Sequence, residues 1–231
     1  MFDDEFNGDA VDLRKWQPNW LGAGPYAVTP PVTRYDLNCV SPSQATEAGG
    51  VLALISVARP CITASGRRYD FVSGLVNTKR TFTFRYGYLA ARIKVPTSRS
   101  GRPADYAAFW ANGLGHWPAV GELDAMEVLA GCGPGVAFHF HNATETPGAC
   151  GPHAGASAWH VFAADWEPEA ITFYYDGRRL GQVRRGITHA PMYLVLDNSV
   201  NKVYGGPVQV PSRMLVDYVR VWQWTPAHPQ P

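Results

Sequence analysis

Glu122, Asp124 and Glu127 are the residues of this chain best placed to do chemistry. They put three carboxylates in the six-residue stretch ELDAME that begins at Glu122. Alternate side chains of a strand point to opposite faces. Glu122 and Asp124 therefore share a face, whereas Glu127 falls on the other. One extra residue, a β-bulge between Asp124 and Glu127, restores the parity and lines all three acids on one surface. Leu123 and one of Ala125 or Met126 then pack beneath them. Two glutamates held across a sugar can cleave a glycosidic bond, one as nucleophile, the other as general acid and then base. A third acid between them makes full ionisation costly and raises a pKa toward the range a proton donor needs. A solvated acidic strand or a calcium site is the plain alternative.

These acids need a rigid β scaffold, and the chain reads as one. Short apolar and aromatic runs recur between Gly, Pro, Asn and Asp clusters, with little helical periodicity. Strands are expected over residues 51–57, 81–86, 88–95, 106–110, 122–129, 136–141, 171–175, 179–184, 192–196 and 214–224. Asp176-Gly177 is a hairpin turn signal. Residues 97–105 and 131–135 read as surface loops. The simplest account is one all-β domain over residues 1–224, two packed antiparallel sheets, with a Pro-rich tail over 225–231.

Composition narrows the function. Of 231 residues, 17% are charged and the formal net charge is +1, which gives no general pull toward nucleic acid or anionic membrane. No apolar run approaches the roughly 20 residues of a transmembrane helix. The start at Met1 carries no basic and apolar leader, so no signal peptide is read there. The chain has 8 Trp, 11 Tyr and 10 Phe, enough for a core and for flat faces that stack on sugars. Four cysteines, Cys39, Cys61, Cys132 and Cys150, allow three pairings. The favoured one joins Cys132 to Cys150 around the intervening strand, and Cys39 to Cys61. Such bonds imply an exported, extracellular protein.

Gly121 through Glu127 resembles the active-site signature of family-16 glycoside hydrolases, in the bulged form of laminarinase-type members. Phe2 to Gly8, Val76 to Lys79, Tyr86 to Tyr88, Ala91 to Lys94, Trp159 to Trp166, Phe173 to Gly177 and Val216 to Val221 also resemble family segments. The resemblance implies a concanavalin A-like β-jelly roll of two curved sheets with a sugar groove. It implies Glu122 as nucleophile, Glu127 as general acid/base and Asp124 as helper. The implied activity is retaining, endo-acting hydrolysis of laminarin-like β-1,3-glucan, with related activity on agarose, carrageenan or β-1,3-galactan as the alternative. No catalytic cofactor is implied, and the partner is polysaccharide, bound by a monomer.

Groove candidates are Trp117 and Trp110 as aromatic platforms, with Phe109 in place of Trp110 if the strand is turned over. His139 and His141 alternate with Phe138 and Phe140 and so share a face. Arg92 matches a groove residue of the family, although Ala90 replaces the Glu common two positions before it. Asp197 stands where the family commonly has Asn. Glu5, the backbone of Gly50 and Asp217 resemble a structural calcium site.

Two rivals remain. Gly133, His139, His141 and Glu145 fit the first motif of a cupin metalloprotein, whose ligands suit iron, manganese or zinc. No second cupin segment follows, and the three acids stay unexplained. A non-catalytic sugar-binding module shares the fold expectation but has no need of both glutamates. Asn142-Ala143-Thr144 is an N-glycosylation sequon.

Overall fold

The structure is a computed structural model that describes residues 1–153 and 158–223. Residues 154–157, Trp224 and the expected tail 225–231 lie outside the described residues. Two sheets pack face to face as a jelly-roll sandwich. The smaller has six strands in the order Gly148–His153, Gly135–His141, Glu122–Glu127, Tyr106–Gly113, Met192–Ser199 and Leu75–Asn77. For clarity, Glu122–Glu127 is the acid strand, Gly135–His141 the histidine strand and Tyr106–Gly113 the tryptophan strand. The larger sheet has ten strands, with His160–Glu167, Gly87–Lys94, Ser212–Trp222 and Val51–Val57 at its centre.

The core lies between the sheets. Phe109, Leu123, Phe140 and Leu194 face it from the smaller sheet, and Leu89, Ile93, Trp166 and Val219 from the larger. Each alternates with residues of the opposite face, so burying one set dictates where the polar set points. Among the described residues antiparallel pairing prevails, with one exception: Asn38–Val40 runs parallel to Phe71–Ser73.

The turn at Asp176-Gly177 has φ of 47° and 75°, the two left-handed residues of a tight hairpin. It joins Ala170–Tyr175 to Arg178–Val183. The expected strand at 81–86 does not form. A turn closes instead through the Phe82 N–H to the Thr78 carbonyl, and Phe84 makes only an isolated bridge to Met192. Phe82 and Phe84 stack there, ring centroids 5.9 Å apart. Disulfides join Cys39 to Cys61 and Cys132 to Cys150. The second ties the turn after the acid strand to the edge strand beside the histidine strand. Among the described residues no helix is long and apolar enough to cross a membrane.

Candidate active site

The bulge is present. Asp124 pairs with His139 and Glu127 with Ala137, so two residues of the acid strand, Ala125 and Met126, stand opposite one of its neighbour, Phe138. On the other side, Asp124 pairs with Trp110 and Glu127 with Ala108, with a register shift between. Ala125 and Met126 both turn into the core, where one had been expected. Glu122, Asp124 and Glu127 consequently share the open face of the smaller sheet. Gly121 enters the strand at φ +82°, and a Cβ there would lie 2.6 Å from Thr188 Cγ2, so only glycine fits.

Three cross-strand rows carry the acids on this face. The first holds Ala137, Glu127, Ala108 and Asp197. The second holds His139, Asp124, Trp110 and Val195, and the third His141, Glu122, Asn112 and Tyr193. The sequence predicted His139 and His141 on one face, and both reach the acids. His139 Nδ1 lies 2.7 Å from Glu127 Oε2. His141 Nε2 lies 3.2 Å from Asp124 Oδ2 and 3.7 Å from Glu122 Oε1. The Tyr106 hydroxyl donates to Glu127 Oε1 at 3.2 Å.

Crowding and burial set the protonation. Burial first, then the charge of Asp124, pushes the Glu122 carboxyl well above its usual range, and the nearby His141 opposes the shift. Asp124 is raised for the same first reason, followed by Glu127 and Asp197. Burial lifts Asp197 to about 7, against the hydrogen bond from the Trp110 indole N–H. The face therefore retains protons at pH values where isolated carboxylates have lost them.

The flanking candidates fare unequally. Trp117 is 57% exposed, with its ring 5.9 Å from that of His141. Trp110 faces the correct side but is buried under Trp20, ring centroids 5.8 Å apart, so it is no open platform. Phe109 is fully buried between the sheets, which removes it from the face. Asp197 is on the face yet buried, taking hydrogen bonds from Trp110 and from the Ser199 hydroxyl at 2.9 Å. At 3% exposure it offers little surface to a sugar.

Arg92 corrects another expectation. Its strand belongs to the larger sheet, and Leu89, Ala91 and Ile93 take the inward positions. Alternation sends Arg92 to the outer surface, away from the acids. There its Nη1 meets Asp217 at 2.9 Å and its guanidinium lies over Trp159. Ala90 shares that outer face, so its departure from the family pattern has no bearing on the acids.

The calcium set fares no better. Both Glu5 oxygens accept from Arg220, at 2.7 and 2.9 Å, and Asp217 is engaged by Arg92. Carboxylates neutralised by arginines do not fit a hard cation, so Glu5, Gly50 and Asp217 form no ready calcium site. The cupin set is not assembled either. His139 and His141 sit against the acids, while Glu145 is exposed and joins the Asn142 turn through its backbone. That turn also hides the sequon. Asn142 is 8% exposed, and its Oδ1 accepts from the Thr144 and Glu145 N–H groups, leaving Nδ2 buried.

Tyr106 and Trp20 were missed by the sequence reading. The alternation that puts Trp110 on the open face also puts Tyr106 there, a signal that was available. Trp20 belongs to a segment laid along the edge strand Leu75–Asn77 through Asn77 Nδ2 to the Asn19 carbonyl, at 2.8 Å. Only tertiary contacts reveal it.

A jelly roll with paired glutamates on an open sheet face defines the class: this is a glycoside hydrolase. The family model for glycosyl hydrolases family 16 matches residues 44–208, and the chain belongs to that family. Among curated proteins it is 24% identical over 260 residues to glucan endo-1,3-beta-glucosidase A1 of Niallia circulans, covering 96% of this chain and 37% of the relative. It is 28% identical over 207 residues to a beta-glucanase of Rhodothermus marinus, covering 76% and 69%. A keratan-sulfate endo-1,4-beta-galactosidase of Sphingobacterium multivorum is 27% identical, covering 96% and 54%. The chain thus spans only part of these relatives' lengths. The laminarinase catalytic domain of Thermotoga maritima superposes with a TM-score of 0.81 at 21% identity, covering 97% and 98%, a likeness that establishes the fold.

Proposed function

We propose that this protein is a retaining endo-β-glycanase that cleaves β-1,3-linked, laminarin-like glucan. The observation that carries the reading is the bulge that brings Glu122, Asp124 and Glu127 to one open face. Glu122, 17% exposed at its side chain, attacks the anomeric carbon. Glu127 first protonates the leaving oxygen, then takes a proton from the water that releases the glycosyl-enzyme. Asp124 lies buried between them, and by holding a proton it leaves Glu122 free to attack as the carboxylate. Trp117 is the exposed ring available to stack on a sugar. The disulfides and the polysaccharide substrate accord with secretion.

The names of two relatives favour glucan. A second reading is favoured by the keratan-sulfate endo-1,4-beta-galactosidase, which aligns with 96% of this chain. On that reading the same acids cut a galactose-containing glycan. Product analysis on laminarin, lichenan, agarose, carrageenan, arabinogalactan and keratan sulfate separates them. Oligosaccharides from laminarin support the glucan reading. Cleavage of only the galactose-containing chains overturns it.

A further inference from the structure

Tyr106 lies at the start of the tryptophan strand, diagonal to Glu127 on the open face. Its hydroxyl donates to Oε1 at 3.2 Å while His139 Nδ1 lies 2.7 Å from Oε2. Each oxygen of one carboxyl is thus held from a different neighbouring strand. We propose that Tyr106 is a positioning residue for Glu127, fixing the plane of its carboxyl through the hydrogen bond to Oε1. This rests on the acid/base role given to Glu127 above.

A tyrosine suits that task because of its surroundings. Asp124 and Glu122 face Glu127 from its own strand, His139 and His141 from the histidine strand, and Asp197 from Met192–Ser199. Asp36 adds its charge from the segment beyond. Burial first, and then Glu127, Asp124, Asp197 and Asp36, hold the phenol well above its usual pKa. It stays a neutral donor through the working range. A donor to a carboxylate favours its charged form, so removing the donor makes Glu127 hold its proton more tightly. A cationic partner there would itself respond to every ionisation among its acid neighbours, and the phenol does not.

Tyr106→Phe deletes the donor and keeps the ring. The pH profile of kcat/KM on polysaccharide should show its high-pH limb, set by the acid form of Glu127, moved up by about half to one unit. Turnover of polysaccharide should fall several-fold with KM unchanged. Cleavage of an aryl glycoside with a good leaving group, which needs little acid assistance, should be spared. His139→Ala should also move the limb, since it removes the other partner. A limb that stays put in Tyr106→Phe overturns the proposal, whether the loss appears in KM, as for a sugar contact, or in melting temperature, as for packing. If Glu127→Ala retains full polysaccharide hydrolysis, the assignment of Glu127 itself fails, a separate result.

Discussion

Two faces of the sandwich carry charged and aromatic residues at alternating strand positions, and they use them in opposite ways. On the outer face of the larger sheet, unlike charges meet. Arg92 bonds Asp217, Arg220 forks onto Glu5, and all four side chains are more than a third exposed. On the open face of the smaller sheet, like charges meet. Glu122, Asp124, Glu127 and Asp197 crowd within three rows, shielded from water and lightly countered by two histidines. Solvated opposite charges contribute little to stability. Buried like charges cannot all ionise, and that instability supplies both an acid and a base at one pH. Charged residues mark a reactive site when they are arranged against their own solvation.

The comparison can be broken by substitution, and the largest effect should come at Glu122. Glu122→Ala should abolish hydrolysis, and azide should restore cleavage with formation of the inverted glycosyl azide; unrescued or undiminished activity would remove the nucleophile role. Glu127→Ala should lower polysaccharide turnover by about 10²–10⁴-fold while sparing activated aryl glycosides. Equal loss on both substrates would show that the residue does not supply a proton.

Asp197 sharpens the comparison through stability. Its folded pKa is about 7, above the usual 3.8, so the folded state binds the extra proton. The stability that Asp197 contributes is then fully present below about pH 4 and is lost as pH rises through 7, by on the order of 4 kcal/mol at most. Asp197→Asn keeps an acceptor for the Trp110 indole and should flatten that slope in urea titrations at pH 4.5 and 8. A variant with the wild-type slope would show that Asp197 is ionised throughout.

The smallest effect belongs to the other face. Arg92→Ala should leave kcat/KM unchanged and alter stability by no more than about 1 kcal/mol. A fall in kcat/KM would return Arg92 to the sugar site and erase the contrast between the faces.

Much of this was legible beforehand. The spacing of Glu122, Asp124 and Glu127 demanded a bulge because strand parity is a local property, and the bulge is there. Asp176-Gly177 announced its hairpin for a similar reason: the left-handed turn is a property of two residues. Alternation alone put His139 and His141 on one face, and only the family resemblance set that face beside the acids. Arg92 and Phe109 could not be placed that way. Alternation says that Phe109 and Trp110 point oppositely, and only the packing of the second sheet says which is inside.

From the sequence alone came the all-β plan, the acid trio and its need for a kink, since each rests on geometry within one strand. Tertiary structure decided which sheet Arg92 joins, which partners grip Glu127, how Trp20 covers Trp110, and that Glu5 and Asp217 answer to arginines. Those outcomes depend on pairings between segments far apart in the chain. Their energies come from burial and charge contacts that exist only after the sheets have closed on one another.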